Sequence, residues 1–218
     1  MIGVANAHNR GVTARLRRTC AALAAFIAWL AGAGTVDAAE PCRIARLAGE
    51  AQIVRAGAAA PLMAGAVLRA ADRIVTAGGG RVEVMCPDGS SLVIGEATEV
   101  ELIRFQSDDA PGNALVRLAR GILRAVLPQG HRWQGFDVVT RTAVASVRST
   151  AWIVEAMPEN TAVFVIEGGV LVSSRANQAQ VHLSAGEGTD VALGQGPKPA
   201  ARWGAARANS VLMRTQSP

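Results

Sequence analysis

From Cys42 onward apolar and polar residues alternate in short runs, and Gly, Pro, Asp or Asn interrupts nearly every run. A period of two sends successive side chains to opposite faces of an extended chain, so these runs predict half-buried β-strands. In "RVEVM" (81–85) Val82 and Val84 share one face, and Arg81, Glu83 and Met85 share the other. Further runs are "QIVRA" (52–56), "RIVTA" (73–77), "SLVIG" (91–95), "EVELIRF" (99–105), "LVRLAR" (115–120), "ILRAVL" (122–127), "FDVVT" (136–140), "AVASV" (143–147), "AWIVEAM" (151–157), "AVFVI" (162–166), "VLVSS" (170–174), "VHLS" (181–184) and "DVALG" (190–194). Between them lie "AGGG" (77–80), "PDGS" (87–90), "DDAPGN" (108–113), "PEN" (158–160) and "EGG" (167–169), whose residues tolerate positive φ or fix φ and so reverse the chain. The fold expected is all-β, with short strands in a stacked β-helix-like or β-sandwich arrangement. Aromatic residues make up 4% of the chain and Tyr is absent, so small aliphatic side chains must fill the core. That suits thin stacked layers better than a wide barrel.

"GEAQIV" (49–54), "GEATEV" (95–100) and "GEGTDV" (186–191) share Gly-Glu and a Val at the sixth place. The recurrence fits repeated turns that enter equivalent strands. Residues 197–218 differ from the rest: two prolines, then an Ala- and Arg-rich stretch in which Trp203, Arg207, Val211 and Arg214 are spaced about a helical turn apart. This tail reads either as one short helix with Trp203 packed on the β-domain at 39–196, or as a mobile terminus.

The first forty residues change the picture of compartment and charge. Arg10, Arg15, Arg17 and Arg18 precede an uncharged apolar run, "AALAAFIAWLAGAG" (21–34), and Val36 and Ala38 are the small residues a signal peptidase reads. Residues 1–38 are therefore expected to be a signal peptide cleaved after Ala38, delivering the chain to the periplasm. The run is shorter than the roughly 20 residues of a spanning helix, so a membrane association is expected only if this segment is retained. The chain has 22 basic and 17 acidic side chains; residues 1–38 hold four arginines and Asp37, leaving 18 against 16. With no basic run and no basic–aromatic interleave in that remainder, nucleic-acid binding is not expected.

Removing Cys20 leaves Cys42 and Cys86 as an even pair in an oxidising compartment, and a disulfide between them is expected. Two cysteines cannot make a zinc site, and His131 and His182 lack ligand spacing. No cofactor is expected. No nucleophile, acid–base pair or phosphate-cradling loop stands in plausible company, so the chain is not expected to be an enzyme. Glu155 and Glu167 are the best carboxylate pair for the alternative of an envelope glycan-processing protein, which would need them about 5–10 Å apart.

One stretch, "AVASVRSTAWIVEA" (143–156), places Arg148, Ser149 and Thr150 between two strand-like halves. In a corner Thr150 can bond to backbone, and Arg148 can reach a carboxylate or carbonyls. Arg148 is expected to pin its own fold, with ligand contact as the alternative.

"GAVLRAADRIVTAGGGRVEVMCPDGSSLVIGEATEVEL" (65–102) resembles the front half of a FecR-type domain. Gly65, Leu68, Asp72, Ile74, Thr76, Val82, Val84, Asp88, Gly89, Ser90, Leu92 and Ile94 match that family's pattern in order. "ARGILRAVLP", "FDVVTRTAVASVRSTAWIVE" and "TAVFVIEGGVLVSS" are similar to its later segments, with Ser149 where the family has Gly. The resemblance covers residues 44–193. It implies a periplasmic, non-enzymatic binding or signalling module, with Arg148, Ser149, Thr150, Asp88, Gly89 and Ser90 as candidate binding or structural residues. Regulators of this type span the inner membrane, sense an outer-membrane transporter and control a sigma factor. Only about twenty basic, unpatterned residues precede the apolar run here, so a cytoplasmic anti-sigma domain is not expected. The expected partner is an envelope protein or glycan of unknown identity; peptidoglycan binding and a membrane-anchored regulator are the alternatives.

Overall fold

A computed structural model describes residues 40–105 and 112–218. The expected signal peptide, its cleavage point and most of the 108–113 turn lie outside the described residues. The chain forms β1 (Arg43–Ala48), β2 (Ala51–Arg55), β3 (Ala58–Pro61), β4 (Arg73–Thr76), β5 (Arg81–Met85), β6 (Ser91–Ile94), β7 (Glu99–Arg104) and β8 (Asn113–Val126). There follow β9 (Gly135–Val139), β10 (Ala143–Val147), β11 (Ala151–Ala156), β12 (Asn160–Glu167), β13 (Gly169–Ser174), β14 (Gln180–Ser184), β15 (Glu187–Ala192), β16 (Ala201–Arg202) and one helix, α1 (Ala205–Arg214).

The strands make two stacked sheets joined by β8. Sheet A runs β1-β5-β6-β8-β11-β12-β15-β16, and sheet B runs β3-β2-β4-β7-β8-β9-β10-β13-β14. Among the described residues the β8–β9 pairing is parallel and the other strand pairings are antiparallel, which is a sandwich and not the coil of a parallel β-helix. The inner faces interdigitate: Val82, Val84, Ile94, Leu123, Trp152 and Val163 from sheet A meet Ile74, Val100, Val116, Phe136, Val138 and Val172 from sheet B in one buried cluster. Trp152 and Phe136 meet edge to face at 5.6 Å, a geometry that suits the ring quadrupoles.

The runs "LVRLAR" and "ILRAVL" are one strand, not two. The first half of β8 pairs with β7 and β9 in sheet B, and the second half with β6 and β11 in sheet A. Gly121 is the joint. Its φ is +90°, and a Cβ there would lie 2.2 Å from Thr98 Oγ1, so only glycine lets the strand pass so close to its neighbour.

The Gly-Glu recurrence has a structural meaning. Gly49-Glu50 joins β1 of sheet A to β2 of sheet B, Gly95-Glu96 joins β6 of sheet A to β7 of sheet B, and Gly186-Glu187 joins β14 of sheet B to β15 of sheet A. Each copy marks a crossing between layers. The pattern therefore follows the two-layer architecture and not a repeated coil.

Cys42 and Cys86 form a disulfide across 44 residues. It ties the segment before β1 to the end of β5 within sheet A. Closing a loop of that length removes denatured-state freedom worth about 4 kcal/mol. The tail forms α1 and packs on sheet A. Trp203 stacks on Phe164 with ring centroids 5.1 Å apart, and the Arg207 guanidinium lies 3.6 Å from the Trp203 ring centroid. Val211 packs with Ile122, Ile153 and Phe164, and Arg214 donates to Glu155 at 2.6 Å. The four residues picked out by helical spacing thus all meet the outer face of sheet A. Gly188 makes room for this, because a Cβ there would lie 2.4 Å from the Trp203 ring. Among the described residues no helix is long and apolar enough to cross a membrane.

Candidate functional site

Arg148, Ser149 and Thr150 form the corner by which β10 of sheet B becomes β11 of sheet A. Thr150, 4% exposed, carries the anchoring contacts. Its N–H donates to the Leu127 carbonyl at 3.1 Å, its own carbonyl accepts from Leu127 N–H at 3.0 Å, and its hydroxyl donates to the Gly169 carbonyl at 2.9 Å. The structure gives the Arg148 side chain none of the contacts expected of a residue that pins the fold. That side chain is exposed and has no hydrogen-bond or ion-pair partner among the described residues; the backbone carbonyl of Arg148 makes the local contact, to the His131 ring. Serine replaces the family's Gly without strain, since Ser149 is not among the residues with positive φ.

The other predicted trio forms a tight turn braced by hydrogen bonds. Asp88, Gly89 and Ser90 turn β5 into β6, and the Asp88 carboxylate accepts from Ser90 N–H at 2.9 Å, Arg132 N–H at 2.9 Å and Arg132 Nε at 3.2 Å. Burial alone would raise the Asp88 carboxyl, but the Arg132 and Ser90 hydrogen bonds and the Arg132 charge outweigh it and hold it below its ordinary value. His131 and Arg132 are neighbours on the β8–β9 connection, so that connection ties the Asp88 turn and the Arg148 corner together at one end of the sandwich. Asp72 of the family pattern is likewise a brace. It is fully buried and accepts from Arg55 Nε and Nη2, both at 2.7 Å, and from Arg69 N–H at 2.7 Å.

Beside the corner a groove of about 670 Å³ opens on the outer face of sheet B. Its floor is a row set by strand register: Asp137 of β9 opposite Ser146 of β10, then Leu171 of β13, then His182 of β14. Arg148 and Ser149 close one side, and Asn113 and Gln134 line it with them. Asp137 and Ser146 show in the sequence only as outward positions of alternating strands. That they meet Asn113 and His182 depends on register across sheet B, which no local pattern carries. Elsewhere on this face the charges are matched, with Arg73 and Arg120 on Glu99, and Arg117 on Glu101.

The carboxylate pair weighed for glycan processing does not form a site. Glu155 is bound by Arg214, and it pairs in register with Ala162 whereas Glu167 pairs with Ala151. The two therefore stand about four residues, roughly 13 Å, apart along the strands. Among the described residues no group of three His, Cys, Asp or Glu could hold a metal ion.

Comparison with known proteins agrees with this architecture. Residues 72–171 match the family described as FecR protein. Two crystal structures of a candidate anti-sigma factor from Parabacteroides distasonis, at 1.65 and 2.50 Å resolution, share the fold at a TM-score of 0.53 and 24% identity. The match covers 64% of this chain and 64% or 63% of theirs, so it spans just under two thirds of their length. None of the curated proteins matches the chain.

Proposed function

We propose, from the FecR-family domain that this chain carries at residues 72–171, that it is a non-enzymatic signalling module of the cell envelope which recognises a partner with the open face of sheet B. The observation that carries the reading is the groove beside the Arg148 corner, where the side chains of Arg148 and of other exposed polar residues have no hydrogen-bond or ion-pair partner among the described residues. Residues that hold a fold find partners within it. Exposed polar residues gathered in a hollow and left without them are available to a ligand.

Export to the periplasm is part of the proposal. A disulfide between buried cysteines suits an oxidising compartment, and the basic-then-apolar sequence of residues 1–38 suits a cleaved signal. Fractionation with N-terminal sequencing tests this: a soluble periplasmic chain beginning at Ala39 is expected, and a cytoplasmic chain overturns it. A membrane-held chain that keeps residues 1–38 would make the same module an anchored regulator. For the recognition face, a photo-crosslinking residue at Ser146 in living cells should trap a specific product, and Arg148→Glu should abolish it. Products from a probe at Ser210 on the exposed side of α1, with none from Ser146, would defeat the assignment.

A further inference from the structure

The lining of the groove restricts what it can hold. Asn113, Gln134, Asp137, Ser146, Arg148, Ser149 and His182 have no side-chain hydrogen bond among the described residues, whereas nearby Arg73, Arg117, Arg120 and Arg132 are all engaged in ion pairs. The free set is balanced, with one carboxylate, one guanidinium, two amides, two hydroxyls and an imidazole. Such a surface does not select for net charge. It offers donors and acceptors in alternation, and planar amide, carboxylate and guanidinium groups that engage two ligand atoms at once.

A protein interface of ordinary strength needs an apolar anchor at its centre. Here the floor contributes one large apolar side chain, half-buried Leu171. The exposed large apolar side chains, Met63, Met85, Met157, Leu193 and Met213, all lie outside the groove. A bound peptide would also bring one backbone donor and one acceptor per residue. The sheet face cannot pair these in a ladder, because its own backbone bonds run within the sheet. Hydroxyl groups, each both donor and acceptor, match the lining directly. A second hollow of about 540 Å³ shares Asn113 and Gln134 with the groove and is otherwise lined by Arg104 and by Ala70, Ile103, Phe105, Gly112 and Trp133, so the groove leads into a more apolar recess.

We infer that this groove binds a neutral glycan chain, with Asp137 accepting from ligand hydroxyls, Arg148 donating to ligand oxygens and Leu171 packing on the aliphatic face of a ring. The inference rests on the open face of sheet B being the recognition surface, and it names the ligand class for that face.

The test is titration of the purified full chain with N-acetylated chitohexaose, whose acetamido groups leave it neutral and which carries no peptide, with isolated peptidoglycan sacculi in a parallel sedimentation assay. Saturable chitohexaose binding is expected. Asp137→Asn and Arg148→Ala should each weaken it about tenfold, the loss of one good hydrogen-bonding group, and Arg73→Ala on the matched half of the same face should leave it unchanged. Melting curves confirm that each variant is folded. Absence of saturable chitohexaose binding, even where sacculi bind, or binding indifferent to both groove variants, overturns the inference. If the Ser146 crosslink then reports a protein, the face is still a recognition surface and only the ligand class has failed; if Ser146 captures nothing, both readings fall.

Discussion

On the outer face of sheet A, Ile122, Ile153 and Phe164 lie beneath α1, whereas on the outer face of sheet B, Asp137, Ser146 and His182 lie in an open groove. Both faces come from the same alternating strands, and the difference lies in the outward residues. Sheet A turns large apolar side chains outward, each worth about 1.5–3 kcal/mol when removed from water, and the chain supplies its own cover. The cover extends to the far edge, where Ser217 Oγ donates to Glu83 at 3.0 Å and Arg81 reaches the Gln216 carbonyl. The disulfide also lies in this sheet. Sheet B turns mainly polar and charged side chains outward, with Leu115, Val139, Val144 and Leu171 half-buried among them, and no helix of the described residues lies over its groove.

Stripping the cover is the most severe way to break this contrast. Trp203→Ala removes the ring that stacks on Phe164, lies against Gly188 and carries the Arg207 guanidinium. Because Trp203 is half-buried, the cost should fall near the low end of the range for large-to-small changes, about 3 kcal/mol. Denaturant unfolding should show this loss, and binding of a hydrophobic dye to the native state should rise as Ile122, Ile153 and Phe164 become accessible. An unchanged midpoint would mean that the tail is an appendage and that sheet A is stable uncovered.

The same two faces explain what the sequence made legible. Alternation located most strands and correctly paired Val82 with Val84 on the inside, because a period of two is a local property. It missed β1, where "RIARLA" breaks step at a register shift between Ile44 and Arg46, and β3, whose three alanines and Pro61 carry little strand preference. It assigned Glu83 to the outer face correctly, but could not foresee that the residue is only 4% exposed, since Arg46 and Ser217 close over it from 37 and 134 residues away. The groove was invisible for the same reason: four strands contribute its floor. Arg148 stood out in the sequence by position, and only the fold could show that Thr150, two residues on, does the anchoring.

Acid should loosen the covered face by a smaller amount. Burial would raise the Asp190 carboxyl, but hydrogen bonds from Arg207 and Asn160 and the charges of Arg207 and Lys198 hold it below its ordinary value. A depressed carboxyl contributes stability that is fully present above its unfolded value near 3.9 and is lost as pH falls through the lower folded value. Since Asp190 binds the same Arg207 that covers Trp203, protonation releases the start of α1. The pair is partly exposed, so the loss should be about 1 kcal/mol after solvent screening. Unfolding measured at pH 6 and at pH 2 should show a smaller difference for Asp190→Asn than for the natural chain, and equal differences would dissociate the ion pair from tail docking.

The smallest expected effect is the most informative about sheet B. Arg148→Ala removes an exposed side chain with no partner among the described residues, so stability should change by less than about 0.5 kcal/mol. Thr150→Val is the matched control two residues away. It keeps the shape but removes a hydroxyl that donates to Gly169 from a site 4% exposed, leaving that acceptor with less than it had, and should cost about 1 kcal/mol or more. If thermal melting ranks the two the other way, Arg148 serves the fold after all and the groove loses its principal free charge. If the order holds, the corner divides its work between adjacent residues, Thr150 fixing the crossing between sheets and Arg148 remaining free at the rim of the open face.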